Sequence, residues 1–337
     1  MDGRIRTTTT KELIVKRYDV VVIGGGAAGL SGALALVRAR RSVLVVDNGT
    51  PRNAPAEHVH NYLSRDGVAP AELYAIGRGE VSGYGGEVVI DTVTRVRPGG
   101  SEYGFVVELA GREAVEARRL LVATGVVDQL PAVPGLAERF GRDVLHCPYC
   151  HGWEVRDQAI GVLATGPMAA HQTLLFRQWS DDVTLFLNDA LEPTEDQWEE
   201  FAARGISVVQ GKVASLEVTG DKLTGVELEG GRVIPRQALA VQTQLEARAD
   251  FLADLGIKAT VREGRGVVVG KAVDSDPTGA TEVSGVWVAG NVTDPMGQVI
   301  TSAAAGMTAG AVINADLITE ETRLAVETYR AGAAISV

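Results

Sequence analysis

The chain has 337 residues, 45% of them hydrophobic and 22% charged, enough to bury a large core in two domains or in one domain interrupted by another. A formal net charge of −11 excludes a nucleic-acid groove, which needs clustered Lys and Arg to meet phosphates. The sequence has no apolar run of the roughly 18 residues a membrane span needs, and its polar opening lacks the apolar core of a signal peptide. Residues 1–17 are expected to be a flexible tail and the protein cytoplasmic.

Tyr18 opens the stretch YDVVVIGGGAAGL, a β-branched apolar run, then glycines, then an Ala- and Leu-rich helix through about Val37. Arg38, Arg40 and Arg41 end that helix, where cations suit its dipole. SVLVVD (42–47) is a second buried strand, so the unit reads β-α-β. Its motif is Gly24-x-Gly26-x-x-Gly29, with Ala27 and Ala28 between the last two glycines and Asp47 closing the second strand. This is the grammar of a dinucleotide site. The first glycine permits a tight turn, the second lets backbone reach a pyrophosphate, and the third lets helix and strand pack. The acid accepts ribose hydroxyls.

HCPYCHGW (146–153) holds the only two cysteines. A cytoplasmic compartment keeps thiols reduced, so a structural staple is not expected and a redox dithiol is. Pro148 suits the first turn of a short helix. Cys147 then sits at the helix start, where backbone N–H groups promote the thiolate. His146 and His151 flank the pair as candidate bases. Zinc would need four ligands, and Cys147, Cys150, His58 and His60 lack finger spacing, so no metal site is expected. The zinc-deaminase pattern fails too, since the proline lies inside the pair.

From about residue 159, AIGVLATGPMAAHQTLLFRQW followed by DVTLFLND repeats the strand–turn–helix–strand pattern. Ala164, Gly166 and Ala169 occupy the three glycine positions, and the second strand ends Leu187-Asn188-Asp189-Ala190 without Arg or Lys. A 2′-phosphate needs a cation there, so NADP(H) recognition is poorly supported. Asp189 keeps an NADH site open. ISVVQGKVASLEV and KLTGVELEGGRVI then read as a meander. The last block is a strand (285–289), a Gly290-Asn291 turn and a small-residue helix from about Gln298, suited to close approach of a flat ligand or another backbone.

From about Tyr18 to Leu317 these motifs resemble the low-molecular-weight thioredoxin reductases, FAD-dependent pyridine nucleotide–disulfide oxidoreductases. VVVIGGGAAGL resembles their FAD fingerprint and LLVATG (120–125) the strand and turn that close the first lobe. CPYC stands where the family carries its redox pair. GNVTDPMGQVITSAAAG resembles the terminal FAD motif, with Asn291 for its Asp and Gly297 for its Arg. His60-Asn61-Tyr62 resembles the segment whose asparagine touches FAD. The resemblance implies an α/β fold of two Rossmann-like, three-layer ββα domains, the second inserted in the first. FAD would be bound by 18–127 with 246–337, and 128–245 would be an NAD(P)H-like domain carrying the dithiol.

By the same resemblance, Gly24, Gly26, Ala27, Ala28, Gly29, Asp47, Asn61, Ala123, Thr124, Gly125, Gly290, Asn291, Gln298 and Val299 contact FAD. Cys150 faces the flavin, Cys147 faces substrate, and the protein is a homodimer. His151 replaces the acid that follows the pair in reductases. With the eroded NADPH site, this is similar to the FAD-dependent dithiol oxidases that close disulfides in natural products such as gliotoxin and holomycin. The expected electron path is small-molecule dithiol to the cysteine pair to FAD to O₂. An NAD(P)H- or ferredoxin-dependent disulfide reductase is the alternative, and a non-catalytic flavin sensor a third reading.

Overall fold

A computed structural model describes residues 15–100, 104–264 and 266–335; of the tail expected at 1–17, residues 1–14 lie outside the described residues, and Arg17 at its end belongs to the first strand, paired beside Glu116. β1 (Arg17–Ile23), α1 (Ala27–Arg38) and β2 (Val43–Asp47) form the strand–helix–strand unit, extended by α2 (Pro70–Gly83) and β3 (Glu87–Ile90). β4 (Val93–Pro98) and β5 (Phe105–Leu109) form an antiparallel excursion before β6 (Val115–Val122) returns beside β1. Alternate residues of these strands face opposite layers, as the period of two requires. Val20, Val22, Val43 and Val45 pack on α1, while Val21, Ile23, Leu44 and Val46 pack on the β4–β5 layer.

β7 (Val126–Gln129) leads out of this unit. The second unit comprises α3 (Leu136–Arg139), β8 (Val144–Leu145), α4 (Pro148–His151), β9 (Ile160–Leu163), α5 (Met168–Phe176), β10 (Val183–Phe186), α6 (Glu195–Ala203) and β11 (Ser207–Val209), then β12 (Val213–Thr219), β13 (Lys222–Leu228), β14 (Val233–Pro235) and β15 (Ala238–Val241). Its parallel sheet has the order β11-β10-β9-β15-β8, and β12-β13-β14 is the predicted meander. α6 begins with a reciprocal cap between Thr194 and Gln197, which satisfies backbone N–H groups at the helix start. The chain returns along β16 (Gln244–Ala247), which pairs antiparallel with β7. Each unit thus has a helical layer, a parallel sheet and a β layer, the two Rossmann-like units of the sequence reading.

β17 (Ala259–Gly264) and β18 (Val267–Val273) complete a four-stranded sheet with β16 and β7, and β19 (Val286–Val288) adds to β6 in parallel. α7 (Val299–Ile335) ends the described chain. Its small residues serve a helix crossing: a methyl at Gly306 would overlap the Ala28 carbonyl oxygen, and one at Gly310 would stand 2.6 Å from that of Gly32. Among the described residues no helix is long and apolar enough to cross a membrane.

Gly306→Ala is therefore expected to lower stability by about 1–3 kcal/mol through overpacking of the α1–α7 crossing. Gly79→Ala, on α2 with open space where its methyl would go, should raise stability by roughly 0.5–1 kcal/mol. Thermal unfolding of the two variants beside the parent checks both signs.

Candidate active site: a dithiol and a glycine-rich turn on one cavity

The β1–α1 turn is shaped by close backbone approach. Gly24 has φ +108°, and a methyl there would overlap the Ala123 carbonyl oxygen. A methyl on Gly29 would overlap the Gly24 carbonyl oxygen, so the third glycine serves packing and does not line the cavity. At Gly26 a methyl would meet nothing within 4 Å: here the turn opens into a cavity of about 660 Å³. Asp47 lies on the same wall, 8% exposed at the end of β2.

Cys147 and Cys150 line that cavity as well, as free thiols. Cys147 caps α4, Pro148 occupies its first turn, and the Cys147 carbonyl accepts from the N–H groups of Cys150 and His151, each at 3.2 Å. Cys147 is the more acidic thiol, drawn down to about 7. The Cys150 thiol hydrogen-bonds to its sulfur, the Cys150 and Tyr149 N–H groups point at it, and the Arg52 charge adds, all against burial. Cys150 is pushed up by donating to Cys147, by burial and by the neighbouring negative charge. His146 is lowered to about 4 by burial and by Arg52, with Asp128 opposing. Burial also lowers His151, with Glu154 opposing. The Nε2 of His151 meets no hydrogen-bond partner among the described residues.

The model of the pyridine nucleotide-disulphide oxidoreductase family matches residues 18–310. The chain belongs to that family. Among solved structures, the crystal structure of HlmI superposes with a TM-score of 0.84 at 46% identity, covering 92% of this chain and 95% of that one. Thioredoxin reductase sirT of Leptosphaeria maculans is 30% identical over 313 residues, 88% of this chain and 93% of its own length. A probable thioredoxin reductase of Arthroderma benhamiae is 37% identical over 185 residues, 53% of this chain but only 46% of that protein. The protein is an FAD-dependent oxidoreductase.

The residues present fit FAD: the open face of Gly26, the Asp47 carboxylate and the walls at Ala123–Gly125, Gly290, Gln298 and Val299 line one cavity and would hold it there. Ala27 and Ala28 line it too. Asn291 lies on the cavity, but its Nδ2 donates to the carbonyls of Asp294, Pro295 and Gly297, so that group shapes the turn before α7. Asn61 corrects the sequence expectation. It sits exposed at φ 61°, does not line the cavity, and donates from Nδ2 to the Tyr149 carbonyl at 2.6 Å. The loop carrying it runs against the CPYC turn and braces it there. His60 stands beside this brace, 3.4 Å from Asp66 and 3.3 Å from Glu154.

Other cavity residues carried no sequence signal. Arg52 and Asn53 come from the loop after β2, Met168, His171, Gln172 and Leu175 from α5, and Gln242 and Arg248 flank β16. The only clue was that four α5 positions recur at helical spacing, a pattern every core-facing helix shares. No group of three or more His, Cys, Asp or Glu among the described residues is placed to hold a metal.

In the reduced protein, alkylation of Cys147 by iodoacetamide should therefore have a midpoint near pH 7, below the usual thiol value of about 8.5. Arg52→Gln should move that midpoint upward. An unshifted profile in the parent protein refutes the assignment of the thiolate to Cys147.

Proposed function

We propose that the protein oxidises a small-molecule dithiol to its intramolecular disulfide, with Cys147 and Cys150 as the exchanging pair, O₂ as final acceptor and H₂O₂ as by-product, in a homodimer. The observation that carries the direction of electron flow lies at the end of β10. Asn188 donates from Nδ2 to the Ala164 carbonyl at 3.1 Å and accepts on Oδ1 from the Val213 N–H at 2.9 Å. The side chain at this strand end is thereby spent on its own fold, and residues 187–190 bring no cation for a 2′-phosphate. Ala164 and Ala169 fill the positions of two fingerprint glycines with methyls buried in the second unit's core. These features favour an oxidase over an NADPH-driven reductase. Asp189 is exposed at the same strand end, which is the one observation that supports an NADH-linked reductase instead.

One substrate thiolate attacks Cys147 of the oxidised pair and Cys150 leaves as thiolate, giving a mixed disulfide. The second substrate thiolate attacks the substrate sulfur of that bond and displaces Cys147. A substrate disulfide has formed, and the cysteine pair holds the two electrons. Bound FAD supplies the two-electron acceptor through which the Cys147–Cys150 disulfide is restored. Both substrate thiols must lose a proton. His151 is held neutral at pH 7 by burial and its Nε2 carries no hydrogen bond among the described residues, whereas a His146 held at about 4 is too weak a base. Cys147, the better stabilised thiolate, is also the better leaving group in the second exchange.

Purified yellow protein mixed anaerobically with a dithiol should lose its visible flavin band, then regain it in air with H₂O₂ formed. Rapid bleaching by NADPH or NADH sinks the oxidase reading in favour of a reductase. Cys150→Ser should keep its flavin but resist bleaching by dithiol. His151→Gln should lower kcat on the order of 100-fold, and His146→Gln less than that; the reverse order would move the base to His146.

A further inference from the structure

α4 is four residues long, so its carbonyls run out of intrahelical donors almost at once. The Pro148 carbonyl accepts from the Gly152 N–H at 2.7 Å, but no backbone N–H among the described residues reaches the Tyr149 carbonyl. Its donor comes from the other unit: Asn61 Nδ2, 88 positions earlier in the chain, at 2.6 Å. That amide is held from its own side. The loop 59–68 is closed by the Val59 N–H on the Val68 carbonyl at 2.8 Å and the Gly67 N–H on the Val59 carbonyl at 2.9 Å. Asp66 Oδ1 accepts from the Asn61 N–H at 2.8 Å, and Asn61 itself has φ 61°, a left-handed conformation in which asparagine is enriched.

The Tyr149 carbonyl and the Cys150 N–H are the two ends of one planar peptide. That N–H donates to the Cys147 carbonyl at 3.2 Å and also faces the Cys147 sulfur. The donor is shared, so the tilt of the peptide plane decides how much of it the sulfur receives. A hydrogen bond accepted at one end of the peptide also polarises the N–H at the other. We propose that Asn61 is a positioning residue for the dithiol: through the Tyr149–Cys150 peptide it aims the Cys150 N–H at Cys147 Sγ. Asn61 does this in either direction of electron flow. The charged and titratable neighbours of Cys147 are Cys150, His146 and His151 on its own turn, Arg52 with its partner Asp128, and His171 on the same cavity from α5. Around the loop of Asn61 stand His60, Asp66 and Glu154. Asn61→Gly alters none of these charges, and glycine adopts the same φ without strain. It removes only the donor to the Tyr149 carbonyl.

Iodoacetamide alkylation of the reduced holoprotein under nitrogen reads the thiolate against pH, with the labelled cysteine identified by mass spectrometry. Asn61→Gly should move the Cys147 midpoint up from about 7 by about half a pH unit, within the worth of one hydrogen bond. Asn61→Ser, neutral and too short to span the gap, should move it in the same direction and serves if the glycine variant does not fold. A midpoint that stays in place while the melting temperature falls reduces Asn61 to a structural brace and overturns the proposal. So does a parent midpoint at the ordinary thiol value of about 8.5. Anaerobic bleaching of the flavin by a dithiol tests the oxidase reading separately: its failure would leave the effect of Asn61 on the Cys147 midpoint as it is.

Discussion

Arg52 grips Asp128 through two hydrogen bonds of 2.6 and 2.7 Å, and Asp128 also accepts from Thr243 Oγ1 at 2.7 Å. Asp128 lies on β7 and Thr243 immediately precedes β16, the two strands by which the chain leaves and re-enters the first unit. One guanidinium from the loop after β2 therefore ties both crossings to the unit that carries the glycine-rich turn. Everything between those crossings, the CPYC turn and α5 included, takes its position from this ribbon. Removing either partner would leave the other charged and largely buried, the costly way to lose an ion pair. The same Arg52 charge favours the thiolate at Cys147 and the neutral imidazole at His146. Placement and electrostatics of the dithiol thus share one residue.

The two units repeat one architecture and differ in what the strand ends are left free to do. In the first, Gly26 opens toward the cavity and Asp47 stands at the end of β2 beside it. In the second, the corresponding positions are occupied from within: Ala164 and Ala169 belong to the core, and Asn188 cross-links two backbone segments. What remains available there is the flank of α5 and the CPYC turn, and both face the first unit's cavity. A repeat with an occupied strand end can still act as a wall and as a carrier of the dithiol.

The fold was legible because its signals are local. A β-branched run, three spaced glycines and a strand ending in Asp47 fix the first unit within thirty residues or so, and the alternation of the later strands marks the meander. The helix start at Cys147 was legible for the same reason, since Pro148 fixes the first turn. Arg52 and Gln172 were not, because their roles depend on partners 76 and 26 residues away that only the fold brings together. Asn61 misled in the opposite direction. Its place in a motif suggested a flavin contact, but the loop around it passes outside the cavity and its amide found the Tyr149 carbonyl. The small residues of α7 left a ligand and a backbone equally open, and the close approach of α1 at Gly32, Gly306 and Gly310 shows that helix packing uses them.

The proposed dithiol oxidation carries a proton inventory as well as an electron path. A dithiol becoming a disulfide gives up two protons. All five histidines of the chain lie in the neighbourhood of the cysteine pair: His146, His151 and His171 line the cavity, His60 acts electrostatically on His151, and the His58 ring stands 5.9 Å from that of His60. They are not equivalent. Burial and the Arg52 charge hold His146 neutral, which suits a residue whose carbonyl anchors Gln172. His151 has Glu154 working against its burial, and beyond Glu154 lies His60, 3.4 Å from the exposed Asp66. A proton on His151 thus has Glu154 in its favour, with burial and His60 against it, while one on His146 would sit beside Arg52. For the proposed oxidation, that difference favours His151 over His146 as the base.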